Sequence, residues 1–308
     1  MELDKNLYQR KADVLAHYRS RAGESLAEIA GIYGTGQFKQ RASAMNSAIY
    51  ETRNRLVASL EQRGREERWA NEDILRNVLM LSHCCNVVMI EFRNAVWPYE
   101  YMAFSRRIGE LWERFCALCF HYSVRDDVRL FVPPLFDDVR RALAREIADY
   151  IRDLPLAEEQ RTELLRYYDK VWTLVTSGQV KLELDVHVQL GSVKYVVDLK
   201  SGFSSNEKGN TNRLLLVASI YRNLEGEQYR CLLLVRQKED ENNHYLLTLK
   251  NSGLWEVSCG DDSYERIRQL TGFDLRAWVG QHIDWQNDLS PDLLAHLRSQ
   301  SLTQYLRW

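Results

Sequence analysis

The stretch Glu183-Leu184-Asp185-Val186-His187-Val188-Gln189-Leu190-Gly191-Ser192-Val193-Lys194-Tyr195-Val196-Val197-Asp198-Leu199-Lys200 reads as a β-hairpin. Gly191-Ser192 is a two-residue reversal between alternating runs. With Leu190 paired to Val193, counting outward sets Asp185 opposite Asp198 and Glu183 opposite Lys200. Side chains alternate along a strand. Leu182, Leu184, Val186, Val188, Leu190, Val193, Tyr195, Val197 and Leu199 are therefore expected on one face. Glu183, Asp185, His187, Gln189, Lys194, Val196, Asp198 and Lys200 are expected on the other. Like charges directly opposite each other weaken a sheet. A sequence that breaks a local rule usually does so at a functional site. A divalent cation between Asp185 and Asp198 would relieve the repulsion, and hard oxygen ligands suit magnesium. The plainer alternative is a half-exposed hairpin with a Glu183–Lys200 ion pair and two solvated aspartates.

The elements that follow extend the hairpin into an α/β core. Residues 201–213 are a polar, glycine-containing loop. An apolar helix to Tyr221 follows, with Asn210 or Thr211 as its cap. Residues 229–236 then read as a buried strand. Strand, helix and strand imply a right-handed crossover to a parallel neighbour. A helix N-terminus beside the hairpin can receive a phosphate. Ser204, Ser205, Asn206, Lys208, Asn212 and Arg213 are the candidate DNA contacts there, against a plain solvated loop and helix cap.

An Asp at the end of one strand, then Asp198-Leu199-Lys200 at the end of the next, resembles the PD-(D/E)XK nuclease superfamily, which includes many type II restriction endonucleases. The resemblance covers roughly residues 100–236, and no Pro precedes Asp185. It implies a restriction-endonuclease-like mixed sheet flanked by helices. It also implies Mg2+ held by Asp185 and Asp198, and Lys200 assisting the attacking water. A metal ion supplies Lewis acidity and orients the phosphate, and an ammonium can stabilise developing negative charge. Duplex cleavage by such folds implies a homodimer acting on double-stranded DNA. A restriction role implies a methyltransferase protecting the same site.

The family also tends to carry a Glu on an upstream helix. Residues 105–120 are a strong helix with Ser105 as a plausible cap, and Ile108, Leu111, Trp112, Phe115, Leu118 and Cys119 form its core stripe. Glu110 shares its face with Arg106, Arg107 and Arg114 and reads as solvated. Glu113 shares its face with Gly109, Cys116 and Phe120, and a half-buried Glu needs a partner or a metal. Glu113 is therefore the candidate third acidic residue, with an intrahelical ion pair as its alternative.

Two regions are expected: a helical segment, residues 1–95, for DNA recognition or dimerisation, and a nuclease domain, residues 96–308, with a helical insertion at about 135–176. Helices are expected near 3–22, 25–33, 37–62 and 70–93. Ser25 begins a capping box, and the Ala30 to Gly34 spacing followed by residues 35–41 resembles a helix-turn-helix, departing from it in the polar Gln40 where a buried residue is expected. Gln37, Lys39, Gln40 and Arg41 would then reach DNA; a plain helical bundle is the alternative. Trp97-Pro98 marks a break. Residues 127–134 suggest a short strand or extended linker. Beyond residue 236, short strands are expected at 243–250 and 254–259, then helices near 263–270, 274–283 and 291–305, the last starting at Ser290-Pro291-Asp292.

The chain has 308 residues, 45% of them hydrophobic, which is ample for a core. The net charge of −2 excludes a globally basic nucleic-acid binder, so DNA attraction would be local. The apolar run Val78 to Ile90 is short and interrupted by Ser82, His83 and Asn86, which points away from a membrane span. No signal peptide is visible, and a cytoplasmic location is expected. The six cysteines do not space like a disulfide framework, and Cys116-x-x-Cys119 falls within a helix with no second pair to complete a zinc site. Non-catalytic DNA binding on a decayed nuclease fold, or a defence or repair role for an active nuclease, are the other functional readings.

Overall fold

The computed structural model describes residues 1–175, 180–204, 207–224, 226 and 228–308. Its centre is a mixed five-stranded sheet in the order β1-β2-β3-β4-β5, with β1 at Val128–Leu130, β2 at Val186–Leu190, β3 at Val193–Lys200, β4 at Gln228–Val235 and β5 at Trp255–Cys259. The first three strands pair antiparallel, and β3, β4 and β5 run parallel. Gly191 takes φ +60°, which its lack of a Cβ permits, and Leu190 pairs with Val193 as the turn requires. The ladder runs out to Val186 opposite Val197. Asp185 therefore stands next in register to Asp198, just before β2 begins.

Helices cover both faces of the sheet. One face carries Val186, Val188, Val197, Leu199, Leu232 and Leu234 into a core shared with the helical N-terminal region and the C-terminal helices. The other face buries Val196, Leu233 and Val235 beneath α7 (Lys208–Arg222) and α8 (His244–Asn251). The second face is thus no solvated surface: His187 and Asp198 are buried on it. Leu182 and Leu184 also join this second core, against the simple alternation. Residues 180–185 lie outside the sheet, so no ladder propagates the alternation through them. Glu183 is exposed and outside the strand, and Lys200 pairs with Asp198 rather than with Glu183, the alternative partner.

The N-terminal region is a helical bundle: α1 (Lys11–Ile32), α2 (Phe38–Glu67) and α3 (Asn71–Val96) pack pairwise. The separate helices expected at 3–22 and 25–33 are one, because Ser25 lies inside α1 and caps nothing. The 30-residue α2 packs along both neighbours, as a bundle helix does. Gln37, Lys39 and Gln40 are exposed at its start, and Arg41 is half-buried. α3 is long and apolar enough to cross a membrane, yet 83% of its most apolar window is buried inside the protein. It is the centre of the main core.

After the Trp97-Pro98 break, α4 (Tyr101–His121) lies on the first face of the sheet. It starts a turn earlier than expected, so Ser105 is inside it. α5 (Phe136–Asp153) and α6 (Glu158–Val175) form a helical hairpin inserted between β1 and β2. Residues 243–250, expected as a strand, form α8 instead. A crossover between parallel strands such as β4 and β5 is usually helical, and Asn243 caps the helix by accepting from Tyr245 N at 2.9 Å.

The C-terminal part comprises α9 (Asp261–Thr271), α10 (Leu275–His282), α11 (Trp285–Asp288) and α12 (Pro291–Ser299). Ser290 caps α12, with Pro291 in its first turn. α12 stops before the expected residue 305, and a short 3-10 turn follows at Thr303–Tyr305. Trp308 packs against Phe115 and Trp285, each at 5.1 Å between ring centroids. All six cysteines are free thiols, with Cys116 and Cys119 buried in α4.

Candidate active site

The end of β3 gathers ionisable groups from four chain segments. Asp198 belongs to β3, one residue past the last rung of the β2–β3 ladder, and is 1% exposed. A carboxylate is placed there because Asp198 faces the second core at the mouth of the sheet. Its Oδ2 stands 3.1 Å from Lys200 Nζ in a buried ion pair. Burial pushes the Asp198 carboxyl up to about 6, against the pull of Lys200, with Asp185 adding to the rise.

Asp185 is exposed at the rim. Its Oδ2 accepts a 2.7 Å hydrogen bond from Leu199 N. That bond crosses from the segment before β2 to β3 and fixes the carboxylate beside Asp198. Sheet register alone brings the two residues level. The Leu199 N–H holds the first one there after the ladder has ended.

Glu113 arrives from the opposite side. Its Oε1 accepts a 3.1 Å hydrogen bond from Ser201 N, just past the end of β3. One turn earlier on α4, Gly109 explains the approach: a Cβ there would sit 2.7 Å from Ser201 Cβ. The missing side chain lets the helix close on the strand end and carries Glu113 over it. Burial pushes the Glu113 carboxyl up to about 7; Lys200 opposes the shift, while Asp185 and Asp198 reinforce it. Glu110 instead pairs with Arg106 at 2.9 Å and Arg107 at 3.1 Å.

Lys200 sits among all three acids. Burial alone would lower its pKa, but Asp198, Asp185 and Glu113 together outweigh burial and raise it, keeping the ammonium charged. A second cation, Arg213 on α7, stands 4.0 Å from Asp198 Oδ1.

The loop side of the site is partly as expected. Lys208 and Asn212 are exposed on the first turns of α7, and Ser204 is exposed before it. Ser205 and Asn206 lie outside the described residues. Neither Asn210 nor Thr211 caps α7, which begins at Lys208 after Glu207 with no side-chain cap. Thr211 is buried, and its hydroxyl accepts and donates nothing. Gln37, Lys39, Gln40 and Arg41 belong to the separate bundle surface, at the turn between α1 and α2.

Sequence reasoning missed Ser201, Gly109 and Arg236. Ser201 supplies the N–H for Glu113, and its Oγ accepts from Arg236 Nε at 3.0 Å and from a terminal guanidinium nitrogen at 2.7 Å. A glycine inside a strongly helical run was the available signal, since such a residue usually marks close packing.

The donor set fits a hard divalent cation. The acidic groups are all oxygen donors, and burial together with their mutual repulsion raises the Asp198 and Glu113 carboxyls, a state that a further cation beside Lys200 would relieve. Among the described residues no three His, Cys, Asp or Glu side chains are arranged as a ready cage. Magnesium commonly takes one or two carboxylates and completes its shell with water and phosphate oxygens, so such a cage is not required. No family model, curated protein or solved structure matches this chain.

Proposed function

We propose that this protein is a Mg2+-dependent endodeoxyribonuclease that hydrolyses phosphodiester bonds in double-stranded DNA, on a restriction-endonuclease-like core. The observation that carries the reading is the meeting of Glu113, Asp185, Asp198 and Lys200 at the end of β3, drawn together by the Ser201 and Leu199 N–H groups. Asp185 and Asp198 would hold the cation, with Glu113 beside them. When bound, the ion would supply Lewis acidity and orient the scissile phosphate. Lys200, kept protonated by its acidic neighbours, orients the attacking water and stabilises charge on the phosphate oxygens. Glu113, with its carboxyl near neutrality, is suited to exchange a proton with that water.

A restriction role, a methyltransferase acting on the same sequence and a homodimer complete the proposal. Two strands need two sites, and the α5–α6 hairpin has apolar surface for a second copy: α5 buries only Ile151 among its described residues and leaves Leu143 and Tyr150 exposed. The test is plasmid digestion with Mg2+. Discrete fragments support restriction, and indiscriminate degradation supports a defence or repair nuclease. Inert behaviour with Mg2+ or Mn2+ across many duplexes ends the enzymatic reading.

A further inference from the structure

A cleft of about 500 Å³ opens beside this site, at the carboxyl ends of β4 and β5. Ligands of open α/β sheets bind outside the carboxyl ends of parallel strands. Backbone bonds join the cleft to the site: Arg236 N donates to Lys200 O at 2.9 Å, and Gln237 N to Ser201 O at 3.2 Å. Its lining carries four cations, Arg236, Lys238, Arg276 and Arg307, against two acids, Glu241 and Asp261.

These cations do not share one role. Arg236 is spent on Ser201 Oγ and on the Tyr305 and Arg307 carbonyls, and so shapes the wall. Arg276 pairs with Asp261 at 3.0 Å. Glu241 accepts from Lys238 N at 3.1 Å. Lys238 and Arg307 are exposed and form no ion pair among the described residues. The cleft therefore presents two uncommitted positive charges over an internally neutralised floor. At its rim Tyr305 meets Tyr101 edge-on at 5.5 Å, and Tyr101 is 55% exposed. Two unneutralised cations in one cleft suit the backbone of a polynucleotide, one phosphate to each charge.

We propose that this cleft is a second phosphate site, in which Lys238 and Arg307 hold backbone phosphates of the DNA strand running on from the cleavage site. The assignment rests on the nuclease reading above for its choice of ligand, and the experiment separates the two.

The measurement is fluorescence anisotropy of a labelled duplex without divalent metal, titrated with the full chain carrying Asp198→Asn to prevent cutting. Adding Lys238→Ala and Arg307→Ala is expected to weaken binding about tenfold near 0.1 M salt and to lower the salt slope of log Kd by about two. Both side chains are exposed, so circular dichroism should be unchanged. Unchanged affinity and slope, or no duplex binding by the parent, overturns the cleft assignment. Competition by a deoxynucleoside monophosphate that the added substitutions abolish would give the cleft to a free nucleotide and equally overturn it. Plasmid digestion by the wild type reads the nuclease proposal separately. Salt-dependent binding lost in the cleft variants, without cleavage, leaves the cleft standing and ends the nuclease reading.

Discussion

The Glu113 carboxylate on α4 and the backbone N–H of Ser201 after β3, 88 residues apart in sequence, are joined by a 3.1 Å hydrogen bond. This single contact brings a helix from one side of the sheet to the ionisable cluster on the other. Its existence depends on Gly109, whose Cβ position is already filled by Ser201.

Gly109→Val should push α4 away from the strand end and move Glu113. Cleavage is expected to fall at least tenfold, by analogy with the sensitivity of positioned groups to displacements of about 1 Å. Overpacking should also cost about 1–3 kcal/mol of stability. A plasmid assay and urea unfolding check both. Full activity with normal stability would show that the close approach is dispensable.

Asp198→Asn and Lys200→Ala should each lower cleavage on the order of 100-fold or more while leaving a folded protein, as removal of transition-state electrostatics does. The two variants differ in stability. Asp198→Asn removes a buried charge and should raise the metal-free melting temperature. Lys200→Ala leaves buried Asp198 without its ion pair and should lower it. Thermal melts in EDTA read the contrast, and equal shifts would contradict the charge assignment.

The same burial sets a pH dependence. Asp198 and Glu113 have folded values of about 6 and 7, above their ordinary carboxylate values. Between about pH 4 and pH 7 the folded state therefore holds more protons than the unfolded chain, so these groups make stability fall as pH rises. For Asp198 alone the loss is on the order of 3 kcal/mol. Mg2+ should recover part of it, raising the melting temperature more at pH 7.5 than at pH 5. A magnesium shift that is the same at both values would remove the link between these acids and the cation.

A separate test concerns the clamp between the two ends of the chain. Asp288 pairs with Lys11 and with the fully buried His83, each at 2.7 Å. Burial alone would raise the Asp288 carboxyl, but His83, Lys11 and the Asp284 N–H hold it below its ordinary range. Asp288→Ala strands Lys11 and His83 and should cost about 3–5 kcal/mol in urea unfolding. Asp288→Asn, which keeps a hydrogen-bond acceptor for His83, should cost less. A cost below about 1 kcal/mol for the alanine variant would show the clamp to be incidental.

Much of the sheet was legible from local pattern. Gly191-Ser192 and the flanking alternation dictate the hairpin register, because a two-residue reversal leaves little freedom in pairing. The apolar run Cys231 to Val235 marks a strand buried on both faces, and Ser290-Pro291 marks a helix start. These signals act between near neighbours, where spacing and backbone chemistry suffice. They fail where distant contacts decide. The run His244–Leu249 is short and apolar enough to read as a strand, but it lies on the crossover between parallel strands and is a helix. Leu182 and Leu184 face away from their expected core because no ladder reaches them.

The same division holds for the candidate site. The residues from Asp185 to Lys200 declare by themselves that two acids and a lysine share the end of a hairpin, since register is a local property. Only the tertiary structure decided that this end is buried beneath α7, that Glu113 reaches it through Ser201, and that Gly109 makes room. Those facts depend on which helix covers which face and how closely it comes. Such approach distances are set by packing across the whole core, and no window of sequence contains them.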